Sequence, residues 1–227
     1  MKKPEAIIFD MDGTLFKTET LLIPAYNRLF DRLRAEGLYT EETPPVERIL
    51  GSLGMLLEEI WKRVMPDASE EARNRADVLL LEEEVRGLES GGSELYPAVV
   101  ETLQALRAHG VKLFVASNGP APYVESVARA HGIEEYFVEL YSAGGRKTAS
   151  KVDLVRILLD EHQIKSAWMV GDRSSDIEAG AENELGIVGC AYAGFGGDEE
   201  LEGAHILIQH FKELVHLYET SEEMQVL

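Results

Sequence analysis

Five short apolar runs are spaced along this chain, at 6–9, 112–116, 167–170, 187–191 and 206–208, with amphipathic stretches between them. Unbroken apolar runs of this length suit strands buried on both faces, the environment of a parallel sheet. The intervening segments carry apolar residues at helical spacing: Val99, Val100, Leu103 and Leu106; Val124, Val127 and Ala128; Leu154, Val155, Leu158 and Leu159. Strand and helix in alternation predict an α/β fold, a doubly wound parallel sheet. Two helices end in His-Gly, at His109-Gly110 and His131-Gly132. Glycine supplies the left-handed residue that stops a helix and a cation suits its negative end, so both histidines are read as structural.

One stretch breaks the alternation. Residues 17–91 read as consecutive helices at 21–36, 46–64 and 69–87, punctuated by Pro44-Pro45, Pro66 and Gly91-Gly92. Tyr96-Pro97 then restarts the alternating pattern. The expected organisation is a core of 1–16 and 92–227 interrupted by an all-helical cap domain of 17–91. Residues after Tyr218 are polar and acidic and are expected to fray.

Composition removes several function classes. A formal net charge of -19 argues against nucleic acid, which needs clustered Lys and Arg, and against anionic membranes. It leaves room for a small phosphorylated substrate, because one cation site and a metal can reverse the local field. The single cysteine, Cys190, sits in an apolar run and reads as a buried hydrophobe; it excludes an intrachain disulfide and a cysteine zinc site. With no signal-like segment and no apolar run near 20 residues, the expectation is a soluble cytoplasmic protein.

In an open parallel sheet, ligands gather at the carboxyl ends of the strands. Three strand ends here are polar: Asp10-Met11-Asp12, Ser117-Asn118-Gly119, and Gly171-Asp172-Arg173-Ser174-Ser175-Asp176. They bring four carboxylates and a hydroxyl to one edge. Two like charges at ~4 Å repel by about 4 kcal/mol at an effective dielectric of 20, so a cation or a retained proton must relieve such a group. A calcium loop starting at Asp10 fails, because Leu15 and Leu21 stand where it needs Gly and Glu. A P-loop fails as well, since no glycine directly precedes the lysine in Arg146-Lys147-Thr148. Gly194-Phe195-Gly196-Gly197 lacks the third spaced glycine of a dinucleotide fingerprint and reads as a loop.

The segments Phe9-Asp10-Met11-Asp12-Gly13-Thr14-Leu15, Ser117-Asn118 and Gly171-Asp172-Arg173-Ser174-Ser175-Asp176 resemble, in kind and in order, the motifs of the haloacid dehalogenase-like hydrolase superfamily. Ile49-Leu50-Gly51-Ser52-Leu53-Gly54 looks like the cap loop of its phosphoglycolate phosphatase-like and β-phosphoglucomutase-like branch. The resemblance implies that Asp10 attacks phosphorus and that Mg²⁺ is held by Asp10, Asp172, the main-chain carbonyl of Asp12, and Asp176 directly or through water. It implies that Asp12 serves as acid and then base, that Ser117 and the N–H groups after it hold phosphoryl oxygens, and that Asn118, Gly13 and Thr14 bind substrate. The family's motif lysine falls on Lys151 or Lys147. Neither is followed by the usual proline, and Lys151 is favoured because Ser150-Lys151-Val152-Asp153 opens a helix, where a cation wants an anionic neighbour.

The function expected on these grounds is a Mg²⁺-dependent phosphatase of a small phosphomonoester, working through an aspartyl-phosphate. A phosphomutase of the β-phosphoglucomutase type uses the same residues, and a non-catalytic phosphate-binding protein is the remaining alternative. A phosphonate-cleaving activity would need a cap lysine, for which Lys62 in a charged helix is a poor candidate. Glu19, Thr20, Arg48 and the turn 51–53 are candidates for substrate contact. The expected partner is a small phosphorylated metabolite, with no nucleic acid and no membrane, and the protein a monomer or weak homodimer.

Overall fold

The structure, a computed structural model, describes residues 1–53, 55, 57–194 and 198–222, without the side chains of Leu57, Glu58 and Asp198. The chain runs β1 (Ala6–Phe9), then helices α1 (Thr18–Ala35), α2 (Val46–Leu50), α3 (Leu57–Val64), α4 (Glu70–Glu89) and α5 (Val99–Ala108). After these come β2 (Lys112–Ser117), α6 (Ala121–Ala130), β3 (Glu139–Ser142), α7 (Ala143–Arg146), α8 (Lys151–Glu161) and β4 (Ala167–Gly171). It ends with α9 (Ser174–Glu182), β5 (Gly186–Cys190), β6 (Ile206–Ile208) and α10 (Glu213–Thr220).

The strands form one parallel six-stranded sheet in the order β3-β2-β1-β4-β5-β6. Strand β1 lies between β2 and β4, so the connections leave it in opposite directions, and its carboxyl end is the switch point where such sheets bind ligands. The period-two alternation of the strands divides the core. Ile7, Phe9, Leu113, Val115, Trp168 and Val170 pack under α5, α6 and α10. Ala6, Ile8, Phe114, Ala116 and Met169 pack under α8 and α9. Burying each large apolar side chain contributes roughly 1.5–3 kcal/mol.

Helices α1–α4 hold a third apolar cluster of their own, centred on Tyr26, Phe30, Trp61 and Leu79. The two crossings between this helical block and the sheet run side by side: Tyr96 N–H donates to Leu15, Lys17 N–H donates to Glu94, and the Lys17 ammonium meets the Glu94 carboxylate at 2.7 Å. The block also leans on the core through α4 against α6. No helix among the described residues is long and apolar enough to cross a membrane.

The structure corrects the sequence reading in four places. The single helix expected over 46–64 is two, α2 and α3, because the chain turns after Gly51. Strand β3 was not expected: Glu139-Leu140-Tyr141-Ser142 is a half-buried edge strand and lacks the apolar run of a central one. Residues 143–146, where the sequence reading places no helix, make a helical turn that Ser142 caps through its hydroxyl on the Gly145 N–H. Gly110 and Gly132 do take the left-handed conformation, at φ +82° and +64°. His131, however, is half-buried with its proton affinity lowered by burial and meets Ser93 Oγ at 3.0 Å, so it serves as a neutral packing group rather than a helix-end cation.

Cys190 is buried, as its apolar run implies. Of the polar tail, Glu222 pairs with Lys2, and 223–227 lie outside the described residues, as do Gly54 of the cap loop and 195–197 of the glycine-rich segment.

Candidate active site

The carboxyl ends of β1 and β2 and the start of α8 open on one cavity of about 80 Å³, roofed by the helical block. Its floor holds Asp10, Asp12, Ser117, Asn118, Gly119, Tyr123 and Lys151. Asp10 is the first residue beyond β1, and its N–H donates to the Val170 carbonyl at 2.9 Å, which fixes it at the strand end. Asp10, Asp172 and Asp176 are all buried, and one carboxylate oxygen from each lies within 4.8 Å of the others.

Lys151, in the first turn of α8, reaches into this group. Its Nζ sits 2.9 Å from Asp10 and 2.6 Å from Asp176. Burial by itself would lower the ammonium's proton affinity, but Asp10 and Asp176 outweigh it and hold the lysine protonated. Lys147, the other candidate for the motif lysine, is exposed in a left-handed turn after α7. Asp176 caps the start of α9 by accepting from the Arg173 N–H at 3.0 Å.

Burial raises the proton affinity of all three clustered carboxyls. For Asp10, Lys151 opposes the rise and Asp12 adds to it. Asp172 is pushed well up by burial, Asp10 and Asp176, and Asp176 to about 6 by burial against the pull of Lys151. Three carboxylates facing one ammonium leave two negative charges to be balanced, and every donor is a hard oxygen. That donor set fits a divalent cation such as Mg²⁺.

Two glycines make the crowding possible. Gly13 has φ +76°, and a Cβ there would run into the Asp172 carboxylate; a Cβ on Gly171 would run into Asp176. Gly13 and Thr14, expected to bind substrate, make these contacts within the chain. The Gly13 N–H donates to Phe16, the Thr14 hydroxyl donates to Asp172 at 3.1 Å, and the Thr14 carbonyl accepts from Tyr192. Neither residue lines the cavity, and both instead seat Asp172.

Asp12 stands apart from the cluster. One of its oxygens accepts from the Thr18 hydroxyl at 2.7 Å and from the Tyr123 hydroxyl at 2.5 Å. Burial raises its proton affinity, while these two donors hold the rise down. Thr18 and Tyr123 were not singled out from the sequence. A signal was present: Thr18 lies six residues after Asp12, and Tyr123 opens the helix that follows Ser117-Asn118.

The Ser117 Oγ accepts from the Gly119 N–H at 3.1 Å, which leaves its own proton to donate into the cavity and removes the Gly119 N–H from the donors expected for phosphoryl oxygens. The Gly119 carbonyl is held in turn by the Ser142 hydroxyl at 2.5 Å. Among the other candidates, Leu53 lines the cavity, whereas Glu19, Thr20, Arg48 and Lys62 do not, and the last two are exposed.

The roof is of different character: Leu22, Ile49, Leu53, Ile60 and Leu80, with the carboxylates of Asp77 and Glu84.

A model of the haloacid dehalogenase-like hydrolase family matches residues 4–183. Among proteins of similar sequence, a phosphoglycolate phosphatase of Vibrio vulnificus is 32% identical over 83% of this chain and 82% of its own. A 5'-nucleotidase of Pseudomonas aeruginosa is 27% identical over 86% of each. The crystal structure of CbbY from Rhodobacter sphaeroides in complex with phosphate superposes with a TM-score of 0.78 at 26% identity, covering 93% of this chain and 96% of that one. The chain belongs to the haloacid dehalogenase-like hydrolase family.

Proposed function

We propose that this enzyme, a phosphoric monoester hydrolase by its family and relatives, cleaves a small phosphomonoester through an aspartyl-phosphate on Asp10, with Mg²⁺ held by Asp10, Asp172, Asp176 and the main-chain carbonyl of Asp12. The observation that carries this reading is the separation of four carboxyls into a buried cluster of three beside Lys151 and a single, partly buried Asp12 held by Thr18 and Tyr123. Bound in the cluster, the ion would supply the positive charge that lets a carboxylate approach a phosphate dianion.

The protein's own groups divide the remaining work. Asp10, oriented by Lys151, is the nucleophile, and its bond to phosphorus forms as the ester oxygen leaves. Asp12 enters protonated, gives that proton to the leaving oxygen, and then takes one from the water that cleaves the acyl phosphate. Its raised proton affinity suits both halves, and its two hydroxyl partners fix its direction. Ser117 and Asn118 hold the phosphoryl oxygens. The helical block, taken as a cap of 17–91 on a core of 1–16 and 92–227, closes over the site and keeps water from the first step. We take the enzyme to act in the cytoplasm on a phosphorylated metabolite, as a monomer or weak homodimer.

The test is release of orthophosphate from p-nitrophenyl phosphate with and without Mg²⁺. Turnover that requires the ion supports the reading. An Asp10→Asn variant as active as the parent would overturn it.

A further inference from the structure

Two adjacent glutamates on α4 have opposite fates. Glu83, 0% exposed, takes Arg28 at 2.8 Å, Arg32 at 3.0 Å and Arg86 at 2.9 Å. Glu84, 7% exposed and on the cavity wall, has no hydrogen-bond or ion-pair partner among the described residues. A buried carboxylate without a partner is costly, and such groups are retained where a ligand completes them. Close by, Asp77 also lines the cavity, with one oxygen accepting from the Trp61 indole N–H at 2.8 Å.

The roof offers no positive charge to offset this pair. Lys151 is the one cation among the described residues that line the cavity, and it is committed to Asp10 and Asp176 on the floor. Arg48 and Lys62 are exposed away from the cavity, and Arg63 spends its guanidinium on the Gly51 carbonyl. Gly54, Leu56, Leu57 and Glu58, whose side chains lie outside the description, bring no cation by their chemistry. A leaving group with its own carboxylate or phosphate would meet buried Glu84 and half-buried Asp77, with no cation to pair with among the described residues of the roof. A leaving group with an ammonium would meet its counter-charge, with aliphatic walls around its carbon atoms.

Resting on the phosphatase reading above, we propose that the roof selects a phosphate monoester of a short amino alcohol, with Glu84 receiving the ammonium and Asp77 adding to the field. A cavity of about 80 Å³ limits the alcohol to a few carbon atoms. Burial, together with Asp12 and Asp77, raises the proton affinity of the empty Glu84 well above a free glutamate's, and an incoming cation reverses that balance. The proposal separates this enzyme from the phosphoglycolate phosphatase it is similar to, whose named substrate is anionic at the end remote from the phosphate.

The experiment compares kcat/KM for 2-aminoethyl phosphate, propyl phosphate and 2-phosphoglycolate, with p-nitrophenyl phosphate reporting the core chemistry. We expect 2-aminoethyl phosphate to exceed propyl phosphate by about 10-fold or more and phosphoglycolate by about 100-fold or more. Glu84→Gln should lower the ratio of amine to neutral ester by about 10-fold, and Glu84→Lys should move the preference toward phosphoglycolate. Equal or better turnover of phosphoglycolate, a preference for propyl phosphate, or a ratio unmoved by Glu84→Gln overturns the proposal while p-nitrophenyl phosphate turnover keeps the phosphatase reading standing. Loss of p-nitrophenyl phosphate turnover in the parent enzyme overturns both. The parent's three-ester panel decides the matter even if neither variant folds.

Discussion

The floor and the roof of the cavity are built from opposite materials. At and beneath the floor, Asp10, Asp172 and Asp176 crowd together, with Lys151 paired to Asp10 and Asp176. The roof is aliphatic, with two carboxylates that meet no opposing charge among the described residues. The difference teaches where each property resides. A reaction that moves a phosphoryl group needs fixed charges in fixed places, so the floor is tied to strand ends. Choice among alcohols needs only shape and a little charge, so the roof is free to be made from helix faces.

Substitutions on the floor should break that contrast most. Asp10→Asn removes the proposed nucleophile and is expected to lower kcat for any ester, p-nitrophenyl phosphate included, by about 10³-fold or more. The cavity and the roof stay in place, so substrate binding measured by equilibrium methods should change far less. Asp12→Ala is the next largest. General acid–base groups contribute about 10²–10⁴-fold, and the loss should be greatest for esters with poor leaving groups and smallest for p-nitrophenolate, which departs with little help. A uniform loss across leaving groups would contradict the role given to Asp12.

A smaller effect tests how the floor is tuned. Tyr123→Phe deletes one of the two donors to Asp12. Those donors lower the proton affinity of Asp12 against the effect of burial, so removing one should raise it. The limb of the pH–kcat/KM profile that reports the protonated acid should move to higher pH, with a rate change of roughly 10-fold or less. An unmoved limb would mean that Tyr123 serves packing alone.

The floor was legible in the sequence and the roof only in part, through Ile49 and Leu53 of the cap loop, for a physical reason. Asp10, Ser117 and Asp172 stand where apolar strands stop, and a charged residue at the end of a buried run is anomalous under any packing argument. Lys151 was legible because a cation in a helix's first turn opposes the dipole and needs an anion. Leu80 and Glu84, by contrast, sit on a helix whose apolar and acidic residues look like any amphipathic surface; only the tertiary arrangement shows which face meets the cavity. The contacts of Gly13 and Thr14 with Asp172 were not legible for the same reason: they depend on the left-handed turn at Gly13 and on a carboxylate more than 150 residues away. Edge strand β3 escaped because an edge needs only half of its residues buried.

The smallest expected effects are on stability, and they separate the two regions most finely. Without metal, Asp172 and Asp176 on the floor and Glu84 on the roof all have folded proton affinities above their unfolded values. The folded state therefore holds more protons, and stability must fall as pH rises. For Asp176 the contribution is complete below about pH 4 and is lost as pH passes through about 6. The exposed carboxylates Glu36, Glu94 and Glu161, whose affinities are lowered by Arg75, Lys17 and Tyr141 with Arg146, act in the opposite sense but at lower pH. Thermal melts of metal-free protein should accordingly decline from pH 5 to pH 8. Mg²⁺ should restore the floor's share alone. Glu84→Gln should raise the metal-free melting temperature at pH 8 by a few degrees, about 2–4 °C per kcal/mol for a chain this size, and leave the increment from Mg²⁺ unchanged. Asp172→Asn should also raise the metal-free value but abolish that increment. If Glu84→Gln instead changed the response to Mg²⁺, floor and roof would share one electrostatic unit, and the division of labour between them would fail.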